Sequence, residues 1–462
     1  MKVRGILALA GAAVLLPCCT TNIGKGDQLA EVTVRLSVLQ DESQVTAPAT
    51  ATPFSDGSLN ASISDDGRFV AFESTSDEFV QGDTNGLRDI IVKDRWTGAT
   101  ENITLLRISG LVQRFGPRAA DCFNPCISGN GRFVAFESTG IYVGGVQYLG
   151  TFLNIWVYDR QNQTFANATL NGNPGMNGDC TSPRLSYDGR FVVWLSAATN
   201  VQSQVGGGTT YGIEDFPPPF APGTPATPQV YMTDLSMPAG DIITLVSHNV
   251  NSTTTGCNGS CTSPVISGDG TVVAFGTEGN DLLAAGDTDT MYDVYLRTIA
   301  TDAIELVDLA INPLTSLTEK ANGGAGAAAV AISHDGRYVT FGCGSSNWGF
   351  ANFLNIVRRD RTLGVTDLVA AGNSTGYLSI SGDGTRIAYV LPGAQITYTD
   401  MLTGNSRVVS VNISGAVANN TCIVCSISGN GQWIVWHTLA DNLVADDTNG
   451  QNDVFARGPM GP

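Results

Sequence analysis

Three stretches of the 462-residue chain place acidic side chains at a spacing that could hold a metal ion: "GDTNGLRDIIVKDR" from residue 82, "GDTDTMYDVYLR" from 286 and "DDTNGQNDVFAR" from 446. Asp83, Asn85 and Asp89 occupy positions 1, 3 and 7 of a glycine-containing loop; Asp287, Asp289 and Asp293 repeat the spacing, as do Asp447, Asn449 and Asp453. Hard oxygen ligands so placed could wrap Ca2+ if carbonyls and water completed about six to eight contacts, although the bidentate Glu that closes an EF-hand loop is absent. The competing reading is conformational. Asp or Asn at position 1 caps a turn through backbone N–H groups, and the Asp at position 7 opens a strand. The conformational reading is preferred, with no cofactor other than Ca2+ as a candidate.

Other chemistry finds less support. "GNSTG" (372–376) matches G-x-S-x-G, but Ser374 lies in a polar loop between two β-rich runs, not on the strand-to-helix elbow a nucleophilic serine needs. Glycoside hydrolysis needs a facing pair of carboxylates, and the sequence singles out no two. The three histidines, His248, His334 and His437, are far apart in sequence and suggest no zinc set.

A net charge of −18 argues against nucleic acid and anionic membrane surfaces as partners. The N-terminus, "MKVRGILALAGAAVLLPCC", joins Lys2 and Arg4 to an apolar run from Gly5 to Leu16, the pattern of an export signal and too short to span a bilayer. Adjacent cysteines close it where bacterial lipoproteins are cleaved and acylated. Cys19 is preferred as the lipid-bearing residue over Cys18, whose preceding Pro17 suits a cleavage site poorly. Among the remaining cysteines, Cys122 with Cys126, Cys257 with Cys261, and Cys422 with Cys425 form close pairs, expected as local disulfides in an oxidising compartment. Cys180 and Cys343 have no evident partner.

The elements that position these residues follow from a repeat. "SISDDGRFVAF" (62–72) returns as "CISGNGRFVAF", "RLSYDGRFVVW", "VISGDGTVVAF", "AISHDGRYVTF", "LSISGDGTRIAY" and "SISGNGQWIVW", seven copies in all. Asp/Asn-Gly between alternating large residues is a hairpin signal. A third strand such as "DIIVKDR" and a fourth such as "ENITLLR" follow, so each copy reads as a four-stranded antiparallel blade. The fold expected is all-β, a seven-bladed β-propeller. These turns and strands resemble the WD40-like (PD40) β-propeller repeats of the TolB family and of many exported bacterial proteins; the resemblance spans roughly 55–457 and speaks for fold more than for function.

The chain divides into a signal region (1–19), a linker (20–30), one propeller domain (31–457) and a tail (458–462). Within blade 3, the Gly/Pro-rich stretch 202–229 is expected as an exposed loop without regular structure. Blade 7 lacks a fourth strand, and "VTVRLSV" (32–38) is expected to supply it, pairing with "DVFAR" and removing an open edge. The functional expectation is a non-catalytic binding or scaffolding propeller of the bacterial envelope, periplasmic or at the cell surface, touching membrane only through a lipid anchor and binding a protein or glycan. A lyase or glycosidase with acids in the channel mouth is the alternative.

Overall fold

The computed structural model describes residues 31–461 except 40–41, 47–56, 82, 84–85, 106, 109–110, 113–119, 144–145, 170–175, 202, 206–208, 212–226, 237–241, 285–288, 351–354, 373–375 and 392. Cys18, Cys19, the linker, Asn85, Asp287 and Ser374 therefore lie outside the described residues.

Seven four-stranded antiparallel sheets form a closed ring, a seven-bladed β-propeller. The inner strands are Ser58–Ile63, Cys122–Ile127, Cys180–Leu185, Cys261–Ile266, Ala325–Ile332, Leu378–Ile380 and Cys422–Ile427. Each touches the inner strand of the next blade, and the last touches the first.

Alternating side chains make the ring cohere. In the second and third strands of blade 1, Phe69–Ser74 and Asp89–Asp94, Val70, Phe72 and Ile91 pack with Val435, Val454 and Ala456 of blade 7. Ala71, Ile90 and Val92 pack with Val134 and Phe136 of blade 2. A strand clamped between two neighbours buries both faces, so these runs read as continuously apolar while keeping period-2 geometry.

The repeated turn is a local machine of its own. In every blade the serine hydroxyl donates to the Asp or Asn two residues on and accepts the N–H five residues on, as with Ser64, Asp66 and Phe69. Ser428, Asn430 and Trp433 do the same in blade 7. Either oxygen acceptor serves, which is why Asp and Asn interchange. Gly131 has φ +71°, and a Cβ there would strike the Phe69 ring of the preceding blade, so both conformation and close approach require glycine.

The ring closes as the end sequences imply. Val32–Arg35 is the outer strand of blade 7, antiparallel to Asp453–Gly458, with Val32 opposite Gly458 and Arg35 opposite Phe455. Beyond that strand the Met460 N–H donates to Gln432 O at 2.7 Å, and Met460 is buried.

Two expectations are corrected. The blade 3 excursion contains a short hairpin, Ser203–Val205 paired with Thr209–Tyr211. No disulfide joins the eight described cysteines. Cys122 and Cys126 share one inner strand, as do Cys422 and Cys425. Extended chain separates such pairs by roughly 10–13 Å, beyond the about 4.4–6.8 Å that a disulfide spans between Cα atoms. Cys122, Cys180, Cys261 and Cys422 each begin an inner strand, opposite Ser138, Ser196, Thr277 and Thr438. Blades 1 and 5 place Ser58 and Ala325 there, so cysteine fills a slot for a small buried side chain. Cys180 and Cys343 belong to separate hydrophobic clusters.

Candidate functional site at the propeller axis

The residue after each turn serine reaches the axis: Asp65, Gly129, Tyr187, Gly268, His334, Gly382 and Gly429. A ring of backbone hydrogen bonds joins all seven blades at this level. Asp65 N–H donates to Gly129 O, Asn130 to Tyr187 O, Tyr187 to Gly268 O, Asp269 to His334 O, His334 to Gly382 O, Gly382 to Gly429 O, and Asn430 back to Asp65 O, at 2.8–3.3 Å.

Inside this ring three side chains meet. His334 Nε2 of blade 5 lies 2.7 Å from Asp65 Oδ2 of blade 1, an ion pair that must cross the axis. The Tyr187 ring of blade 3 packs against the imidazole with centroids 5.7 Å apart at 70°. The four glycines leave the room: a Cβ on Gly129 would strike Asp65 and Tyr187, on Gly268 or Gly382 His334, and on Gly429 Asp65. Three large side chains thus occupy the room that four glycines leave. The Asp65 carboxylate raises the His334 pKa, with burial opposing it. This pair could hold a proton, and its third partner is the Tyr187 ring.

Towards the opposite end, second-strand side chains tie blades together. Asn124 N–H donates to Glu73 Oε2 at 2.7 Å, Ser182 N–H to Glu137 Oε1 at 2.7 Å, and Asn60 N–H to His437 Nδ1 at 3.2 Å. The three donors have positive φ, 49° to 59°, because the inner strands bulge there. Arg88 Nη1 pairs with Glu73 at 2.8 Å. Burial raises the Glu137 carboxyl, and the Ser182 N–H pulls it back. Burial pushes His437 down to about 4, so it stays neutral and free to accept. Asn60 Nδ2 donates to Asn124 Oδ1 at 3.0 Å, an amide pair reaching solvent.

Among the described residues, the acidic loops make the following contacts. Position 7 heads the third strand and accepts a hydroxyl from the end of the fourth: Thr104 Oγ1 donates to Asp89 Oδ1 at 2.6 Å, and Ser37 Oγ donates to Asp453 Oδ1. Three of the blades without the acidic loop, 2, 3 and 6, build the same clasp from amides, Thr169 to Asn154, Ser247 to Gln229 and Ser410 to Gln395. In blade 4 a carboxyl replaces the hydroxyl, Asp308 beside Asp293, and burial raises Asp308 to about 6. Basic side chains stand between the remaining acids. Lys320 Nζ lies 3.2 Å from Asp289 and 2.7 Å from Asp293; Arg35 Nη1 lies 3.4 Å from Asp447 and 3.7 Å from Asp453. Asn102 Nδ2 donates to Asp83, and Asn449 Nδ2 donates to Val45 O. Among the described residues no three His, Cys, Asp or Glu side chains converge as a metal centre.

The axial residues went unread in the sequence, although their signal was there: one column of the repeat carries Asp, Tyr and His in three copies and Gly in four.

No protein-family profile matches the chain, and no curated protein does. Among solved structures, an oligogalacturonate lyase in complex with manganese is similar over 88% of this chain and 90% of its own, at 12% identity and TM-score 0.52. A second oligogalacturonate lyase, from Vibrio parahaemolyticus, is similar over 94% and 98%, at 12% identity and TM-score 0.48. TolB from Acinetobacter baumannii is similar over 89% and 79%, at 14% identity and TM-score 0.37. The first similarity shows the shared propeller fold and nothing of the chemistry.

Proposed function

We propose that this chain is a non-catalytic binding or scaffolding propeller of the bacterial cell envelope, related to the TolB-type repeat proteins and held to membrane by a lipid on Cys19. The observation supporting the binding role is the use made of the channel's titratable groups. Glu73, Glu137 and His437, the side chains a hydrolase or lyase would present, are buried and spend their acceptors on backbone N–H groups of the next blade. A protein or glycan would meet the ring at the exposed Asn60–Asn124 amide pair. The anchor and the envelope location rest on the N-terminal sequence.

A pull-down from envelope extract with the soluble domain, beside a glycan-cleavage screen, tests the reading. Specific capture that weakens when Asn60 and Asn124 become alanine is expected. Turnover of any glycan above buffer, lost in Glu137→Gln, would replace it with the carbohydrate-active alternative, which the raised Glu137 carboxyl favours.

A further inference from the structure

Among the described side chains, Arg184 is the exposed base with no acid against it. Arg190 and Arg407, the other exposed ones, pair with Asp234 and Glu31, whereas Arg184 has no acid within 4.0 Å and spends Nη1 on Pro183 O at 2.8 Å. It stands on the inner strand Cys180–Leu185, opposite Val193, and the inner strands of blades 2 and 4 flank it, so its solvent lies along the axis. No counterpart in the other blades is larger than valine: Ser62, Cys126, Val265, Ala331, Ser379 and Ser426 hold the same register. Hydrogen bonds join this strand to the amide pair of blades 1 and 2. Ser182 N–H and Asn124 Nδ2 both donate to Glu137 Oε1, at 2.7 and 3.1 Å, and Asn60 Nδ2 donates to Asn124 Oδ1 at 3.0 Å. Burial raises the Glu137 carboxyl, and the Arg184 charge is among the influences that lower it.

We propose that Arg184 captures the C-terminal carboxylate of a partner's peptide tail at the axis, with the Asn60–Asn124 amides meeting the peptide groups behind it. This rests on the binding reading and names its ligand. A guanidinium fork takes a carboxylate through two parallel hydrogen bonds. One unpaired positive charge close to Glu137 suits a singly charged anion, because a phosphate dianion would meet stronger repulsion from that carboxyl. Asn60, after donating one N–H to Asn124, keeps a carbonyl and a second N–H, the acceptor and donor that a peptide group needs. Tyr187, three residues beyond Arg184 and 45% exposed, offers an aromatic surface to the tail's side chains. Capture of a terminal carboxylate by convergent donors is a recurring mode of peptide recognition.

The test titrates the folded chain with N-acetyl-trialanine as the free acid, with its C-terminal amide and with glucuronate, read by calorimetry or saturation-transfer NMR. The free acid is expected to bind about tenfold or more tighter than the amide, the worth of a charge-assisted hydrogen bond. Arg184→Gln should abolish that preference, and Arg184→Lys, which keeps the charge without the fork, should keep only part of it; the wild-type comparison of acid with amide needs no variant to fold. Absence of a preference for the acid, or a preference that survives in Arg184→Gln, overturns the proposal. Glucuronate binding as tightly as the acid overturns the peptide in favour of a sugar acid. Capture from envelope extract is read separately: capture that persists without a preference for the acid keeps the binding role and removes this ligand, whereas glycan turnover removes the binding role whatever the titration shows.

Discussion

His437 of blade 7 accepts the backbone N–H of Asn60 in blade 1 through Nδ1 at 3.2 Å, so a neutral imidazole guards the seam where the ring closes. Protonation at that nitrogen removes the acceptor and charges a buried ring. The unfolded imidazole titrates near about 6.5, and the folded one near about 4. Between these values the unfolded chain binds the extra proton, so this contribution is complete above about pH 6.5 and is lost as pH falls towards about 4. Urea midpoints measured from pH 7 to 4 should fall less steeply in His437→Asn than in the wild type. Equal slopes would remove His437 from the acid response.

His334 works in the opposite direction. Its folded pKa is raised by Asp65, so its contribution is present below about pH 6.5 and is lost as pH rises through the raised value. Asp65→Asn should flatten the alkaline side of the stability profile while leaving the acid side set by His437. An unchanged alkaline slope would mean that the axial pair carries no proton linkage.

The axial packing predicts a compensation. Gly429→Ala drives a methyl into Asp65 and should cost about 1–3 kcal/mol, the usual range for overpacking. Asp65→Gly, which copies the residue four other blades use, should restore much of that loss when combined with it. Strictly additive losses in denaturant melts would show that the two positions do not share space.

The clasp at position 7 separates structure from metal. Asp89→Asn keeps an acceptor for Thr104, as Asn154 does in blade 2, and should be nearly neutral. Asp89→Ala removes the nearer of the Thr104 hydroxyl's two acceptors, leaving Asn102 Oδ1 at 3.0 Å, and should cost about 0.5–1.5 kcal/mol. Millimolar calcium or chelator should leave the melting temperature unchanged. A rise with calcium, which mass action requires of a ligand bound only by the folded state, would assign the loops to metal.

Deleting residues 31–40 removes the strand that covers Asp453–Gly458. The truncated domain should melt lower and self-associate through the bared edge. Calorimetry and light scattering read this; a monomer melting at the wild-type temperature would contradict it.

By itself the sequence determined the blades, their number and the closing strand, because each depends on local chemistry repeated seven times. Ser, Asp or Asn, and Gly bend a hairpin wherever they stand, and a missing strand at one end matched a spare one at the other. Neighbours in three dimensions were another matter. Cys122 and Cys126 are near in sequence, yet extended chain holds them apart, while Cys257 reaches Cys261 because the connection folds back before the strand begins. Asp65 and His334, separated by four blades' worth of chain, meet only because closing a ring brings every inner turn to one axis. Glu73, Glu137 and His437 look like candidate acids and bases until the bulge of the next blade brings an N–H to each. Curvature of the whole ring, which no local stretch encodes, decided which of these groups touch.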